Sequence, residues 1–251
     1  MLFSLLGSRN SFQEILVYLL LFIPIYLISF SVHEAAHAFT AWKLGDPTAR
    51  NLGRLTLNPM KHLDPIGTIA MLVIGIGYGK PVPINSRYFK KPKRDMAISS
   101  AAGPLSNLLL AFIGMVGYTI TNQLTPFVGK GLRTWPFTYY ASLDGFPTST
   151  MVGMILMTFF FYFGWMNVSL AIFNLIPIPP FDGSRIAFAI LPDRYYWKVM
   201  QYERYIMIGL IAVIFGLNRV LPVSPIALIA EKILSGIYFL ANFLTKWIAL
   251  L

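Results

Sequence analysis

The chain has 251 residues, of which 56% are hydrophobic and only 12% charged, far from the ~45–50% apolar and ~25% charged residues of a soluble domain. It contains no cysteine, which excludes both a disulfide scaffold and a thiolate metal site. Its 20 Lys and Arg against 10 Asp and Glu give a net charge of +10; in a soluble protein this would raise nucleic acid as a partner, but here the charges fall between long apolar runs.

That placement predicts an all-α polytopic membrane protein whose surroundings are the lipid bilayer, with no nucleic-acid partner. A bilayer core of ~30 Å takes ~20 helical residues per crossing. On that measure about five spans are expected, at 14–42, 96–120, 151–175, 205–221 and 226–250, within a single transmembrane domain covering 1–251. The first run contains Ala36-His37-Ala38, similar to a signal-peptide cleavage site. It is longer than a typical apolar signal core and is preceded only by Arg9, so it is expected to remain as a span.

After this span, the stretch from Lys43 to Arg94 carries half of the basic residues, including Arg50, Arg54, Lys61, Lys80, Lys90, Lys91 and Lys93. By the positive-inside rule it is cytoplasmic, the N-terminus lies outside, and the weakly charged 121–150 loop is external, its Phe127, Trp135, Phe137, Tyr139, Tyr140 and Phe146 reading as an interfacial aromatic belt. The Lys90-Lys91-Pro92-Lys93-Arg94 run reads as a topology signal in contact with anionic lipid, and His62 as a surface loop residue. One apolar segment, 64–79, is too short and Gly-rich to cross comfortably and is flanked by bases. It is expected to re-enter the membrane and continue into Gly79-Lys80-Pro81-Val82-Pro83-Ile84-Asn85, whose spaced prolines suit an edge strand. Counting this 64–86 segment, the expected fold has five to six membrane elements with a small re-entrant β segment.

The sharpest motif is His33-Glu34-Ala35-Ala36-His37. Residues four apart share a helix face, so two imidazoles can reach one divalent ion while Glu34, one step round, can touch a water on it: the HExxH zinc pattern. A satisfied polar cluster or a proton relay would use the same residue types. A catalytic zinc needs a third protein ligand and an open position. The soluble HExxH continuations fail, because Thr40 and Lys43 stand where a metzincin has its glycine and histidine, and the next glutamate is Glu203. Among the aspartates, Asp182 stands out. It follows Asn174-Leu175-Ile176-Pro177-Ile178-Pro179-Pro180-Phe181, a tract that must unwind the chain after the third span. Unwound backbone at membrane depth needs burial in protein or a watered cavity, which an ion site provides. On its own, Asp182 would also suit the N-cap of a helix starting near Ser184, and Asn174 a bond that steadies the proline tract.

An HExxH within a transmembrane helix, followed far downstream by Asn174-x-x-Pro177-x-Pro179-x-x-Asp182-Gly183, resembles the site-2 protease family of intramembrane zinc metalloproteases. Ala102-Gly103-Pro104-Leu105-Ser106-Asn107 is similar to the family's middle core helix, and Gly79 to Asn85 to its membrane-associated β segment. The resemblance implies one Zn²⁺ per chain on His33, His37 and Asp182, Glu34 as catalytic base, and Asn107 in contact with substrate or oxyanion. The substrate would be another protein's transmembrane segment, and the setting a prokaryotic cell membrane with the active site towards the cytoplasm. Phe181 replaces the commoner Leu before Asp-Gly, and the expected form is a small one without PDZ or CBS modules. The rival function class is an ion or proton transporter using the same His/Glu/Asp cluster as a polar pathway.

Overall fold

The computed structural model describes residues 12–74, 79–125, 148–203, 205–206, 208–209 and 225–250. The helices are α1 (Phe12–Lys43), α2 (Thr48–Asn51), α3 (Pro65–Ile74), α4 (Pro92–Leu124), α5 (Thr148–Asn174), α6 (Asp182–Phe188), α7 (Asp193–Gln201) and α8 (Pro225–Thr245). Among the described residues four stretches are long and apolar enough to cross a membrane: Leu16–Lys43, Pro92–Leu124, Thr148–Asn174 and Ala227–Ile248. They match four of the five expected spans. The span at 205–221 lies almost entirely outside the described residues, as does the aromatic belt of the 121–150 loop.

α4 is the hub, packed against α1, α5, α6 and α8. Small residues let the backbones approach, as is usual between membrane helices. A methyl group at Gly114 would sit 3.0 Å from the backbone nitrogen of Gly164, and one at Gly164 would reach 2.5 Å from Met115 Cε. Ala111, Val168 and Ala230, all fully buried, extend this seam to α8. Polar bonds add to it: Thr245 Oγ1 donates to Thr119 Oγ1 over 3.1 Å. The large side chains left outside, such as Leu20, Leu105, Leu109 and Phe239, form the lipid-facing surface a spanning bundle requires.

The segment expected to be a re-entrant β element is α3 followed by an extended stretch, and the described residues form no strand there. Among the described residues its pairing is one antiparallel bridge, Leu63 with Gly79, next to a bond from Lys80 N to His62 O of 2.8 Å. Pro81 and Pro83 lack N–H donors, so a ladder cannot propagate. Side chains hold the stretch instead. Arg54 Nη2 donates to Lys80 O at 2.5 Å, Val82 N donates to Glu34 Oε2 at 3.1 Å, and Asn85 N donates to Asp46 Oδ2 at 2.7 Å. Asp46 sits just past the end of α1, where Gly45 takes φ 110°, a left-handed cap conformation that only glycine adopts without strain. The loop folding back in this way also buries His62 completely, contrary to the surface position its basic setting suggested; His62 Nε2 bonds Thr56 O at 2.8 Å.

At the other end, α5 stops at Asn174 and the proline tract turns the chain back. Asn174 Nδ2 bonds to Leu170 O, one turn up its own helix, at 2.9 Å, so it does not tie down the prolines. Phe173 and Phe181 instead pack edge to face with centroids 4.4 Å apart, and Ser184 Oγ donates to Phe181 O. α6 then begins at Asp182 with Phe181 as its N-cap and no side-chain cap bond. The capping use of Asp182 is therefore absent, and its carboxylate is free to point elsewhere.

Candidate metal centre

His33, Glu34 and His37 lie near the C-terminal end of α1, and all three are buried despite being polar. Helical spacing puts the two imidazoles on the face turned towards α4, where Gly103 leaves room for them. A methyl group there would lie 2.6 Å from His33 Cε1 and 2.5 Å from His37 Cε1, and would also collide with His37 Nε2. α6 supplies the third group. Gly183 is required beside it, since a Cβ there would run into Leu175 O and lie 2.7 Å from Ile176 O, backbone atoms that cannot swing aside.

His33, His37 and Asp182 thus offer ligand atoms all within 4.8 Å of one another. The Nε2 atoms are 3.0 Å apart, and Asp182 Oδ2 lies 3.3 Å from His33 Nε2 and 3.2 Å from His37 Nε2. A tetrahedral zinc with donors at about 2.0–2.1 Å has donor–donor edges of about 3.3–3.4 Å. The observed triangle fits.

The tautomers sharpen this. His37 Nδ1 faces the backbone carbonyl of Ser99 at 2.8 Å, and His33 Nδ1 faces Asn107 Oδ1 at 2.6 Å. Both partners are oxygens that only accept, so each Nδ1 carries the hydrogen of the neutral ring. Both Nε2 lone pairs then converge with a carboxylate oxygen on one point. Such a donor set suits a divalent cation, and orienting a ligating imidazole through its other nitrogen is the usual arrangement at metal sites.

The three groups line a cavity of about 240 Å³ together with Glu34, Val82, Ile84 and Arg185. Glu34 is aimed by the Val82 N–H, and its charge is felt by buried Arg54, whose pKa is pulled down by burial and back up by Glu34. Asn107 does not line the cavity. It is fully buried, with Oδ1 on His33 and Nδ2 donating to Asn167 Oδ1 at 2.8 Å. Ser99 and Asn167 were missed in the sequence, where Gly103 and Val82 appeared within motifs but without a role of their own. For Asn167 the available signal was an Asn in the apolar middle of α5, because such a group needs a polar partner.

A family model described as Peptidase family M50 matches residues 21–217. YwhC of Bacillus subtilis, named a candidate zinc metalloprotease, is 42% identical over 179 residues, 71% of this chain and 73% of that one. Rip2 of Mycolicibacterium smegmatis, similarly named, is 29% identical over 164 residues, 63% of this chain and 52% of that one. Zinc metalloprotease MJ0392 of Methanocaldococcus jannaschii is 26% identical over 212 residues, 83% of this chain and 45% of that one. The match thus spans about half the length of the latter two relatives. No solved structure matches the chain significantly. With the family match running through both the HExxH helix and the Asp182 segment, the chain belongs to peptidase family M50, the site-2 proteases.

Proposed function

We propose that the chain is an intramembrane zinc endopeptidase that cuts other membrane proteins within or near their transmembrane segments. The observation that carries this reading is the convergence of His33 Nε2, His37 Nε2 and Asp182 Oδ2 from two distant segments on one point beside Glu34. His33, His37 and Asp182 would hold one zinc ion per chain, leaving its remaining position towards the cavity. When bound there, zinc supplies Lewis acidity that activates water and polarises a peptide carbonyl.

Glu34 is the proton carrier. Its carboxylate lines the cavity one residue after the first imidazole, and one of its oxygens is held by Val82 N–H. It takes the proton of the attacking water and returns it to the departing amine nitrogen. The 79–85 stretch borders the same cavity through Val82 and Ile84, so an unwound substrate segment lying along it would present its carbonyl beside Glu34. Loop charge supports an N-terminus outside and a site opening towards the cytoplasm, because the basic stretch 43–94 is continuous with the C-terminal end of α1. A proton or ion pathway through the same cluster gains no support from the family or from the relatives' names.

The test is Glu34→Gln in purified protein offered a membrane-spanning peptide. Zinc content should stay at the wild-type value while cleavage falls by at least 10²-fold, the scale of a lost general base. Cleavage at the wild-type rate would remove Glu34 from the mechanism, and a wild-type protein that holds no zinc would remove the metal.

A further inference from the structure

We infer that Asn167, on α5, is a positioning residue for the metal centre: acting through Asn107, it dictates which nitrogen of His33 faces the ion. The inference rests on the zinc reading above. Asn167 touches neither the cavity nor a proposed ligand, yet it is fully buried.

The chain of bonds has a direction at each step. Asn167 Nδ2 donates to the backbone carbonyl of Phe163, one turn back on α5, at 2.8 Å, and to Ser29 Oγ on α1 at 2.8 Å. A carbonyl oxygen only accepts, so the amide nitrogen of Asn167 must face Phe163 and its oxygen must face Asn107. That oxygen, at 2.8 Å, with the longer contact of the same Nδ2 to the Ser29 carbonyl at 3.4 Å, fixes Asn107 with its nitrogen towards Asn167 and its own oxygen towards His33 Nδ1, at 2.6 Å. His33 must therefore carry its hydrogen on Nδ1, and Nε2 is left as a lone pair aimed at His37 and Asp182. If Asn107 were reversed, an N–H would face Nδ1, the ring hydrogen would move to Nε2, and the ligand would become a donor. Reversal also sets nitrogen against nitrogen or oxygen against oxygen along the relay, among fully buried side chains.

His37 needs no such relay, since its Nδ1 meets the Ser99 carbonyl directly. The two histidines are thus anchored unequally, and only His33 depends on side chains that a substitution can remove. The relay also ties the ligand to the docking of α1, α4 and α5, because Ser29, Asn107 and Asn167 come one from each helix.

The experiment compares the zinc affinity of the purified full-length chain in detergent, by chelator competition at fixed pH, for the wild type, Asn167→Leu, Asn107→Asp and the double variant. Removing an outer-shell partner of a ligating histidine weakens metal binding by about 10–100-fold, and Asn167→Leu should fall in that range. Asn107→Asp gives His33 an acceptor that cannot reverse, so in that background Asn167→Leu should cost less than threefold. Such non-additivity supports the relay. Wild-type affinity in Asn167→Leu, or the same fold-loss in both backgrounds, overturns it, the latter marking a role in packing alone. Should Asn167→Leu not fold, Asn167→Asp, buried as the neutral acid with its O–H on the Phe163 carbonyl, still presents an oxygen to Asn107 and should stay within threefold of wild type; a tenfold loss there counts against the relay. Failure of the wild type itself to bind zinc would instead refute the metal reading, so the two failures are distinct.

Discussion

Gly103→Ala puts the geometry of the centre to a severe test with the smallest available change. Alanine is the better helix former by about 1 kcal/mol, so α4 itself should gain from the substitution. The added methyl, however, would lie 2.5–2.6 Å from the Cε1 atoms of His37 and His33, where ordinary contact begins at 3.4 Å. The rings or the helix must therefore separate by about 0.9 Å. Moving the rings strains the Nδ1 bonds to Asn107 and Ser99. Moving α4 opens the seam at Gly114 and Gly164. Metal–ligand distances tolerate only about 0.2 Å, and both histidines are disturbed together. The expected loss of zinc affinity exceeds the about 100-fold that one outer-shell partner costs, or about 2.7 kcal/mol. Chelator competition reads it, with helical content checked by circular dichroism. Gly236→Ala on α8, where a methyl meets nothing within 4 Å, is the control and should bind zinc as the wild type does. Affinity within threefold of wild type in Gly103→Ala would refute the close approach of α4 to the imidazoles.

Two further substitutions separate support of the ligand from support of the base. Gly183→Ala drives a methyl into the Leu175 and Ile176 carbonyls, so Asp182 should be displaced; zinc content should drop and the thermal midpoint fall, measured by metal analysis and by thermal unfolding. Val82→Pro removes the N–H that holds Glu34 in a stretch already flanked by prolines; kcat should fall about tenfold, matching the loss of one hydrogen bond to a charged group at about 1.5 kcal/mol, while zinc affinity stays unchanged.

Two of the three proposed ligands were legible together because their geometry is local. HExxH needs only helical spacing to bring His33 and His37 together, and the prolines before Asp182 announce a chain that cannot continue as a helix. What escaped depends on which helix lies against which. Asn107 stood out in the sequence, but its partners come from α1 and α5, so its contact with His33 could not be read from α4 alone. Gly103 and Gly183 were visible beside motif residues, yet only the packed structure shows that imidazoles and backbone carbonyls occupy the space of their missing side chains. His62 misled because a basic loop is usually solvated; here the 79–85 stretch returns across it and the Lys80 N–H takes its carbonyl. Likewise the spaced prolines pointed to an edge strand, whereas Arg54, Glu34 and Asp46 satisfy that backbone without a neighbouring strand.

The most direct test is anomalous diffraction at the zinc edge from crystals of the unsubstituted protein. A single peak about 2.0–2.1 Å from His33 Nε2, His37 Nε2 and Asp182 Oδ2 is expected. A peak bound elsewhere, or zinc held by the two histidines with Asp182 beyond coordinating distance, would contradict the proposed centre.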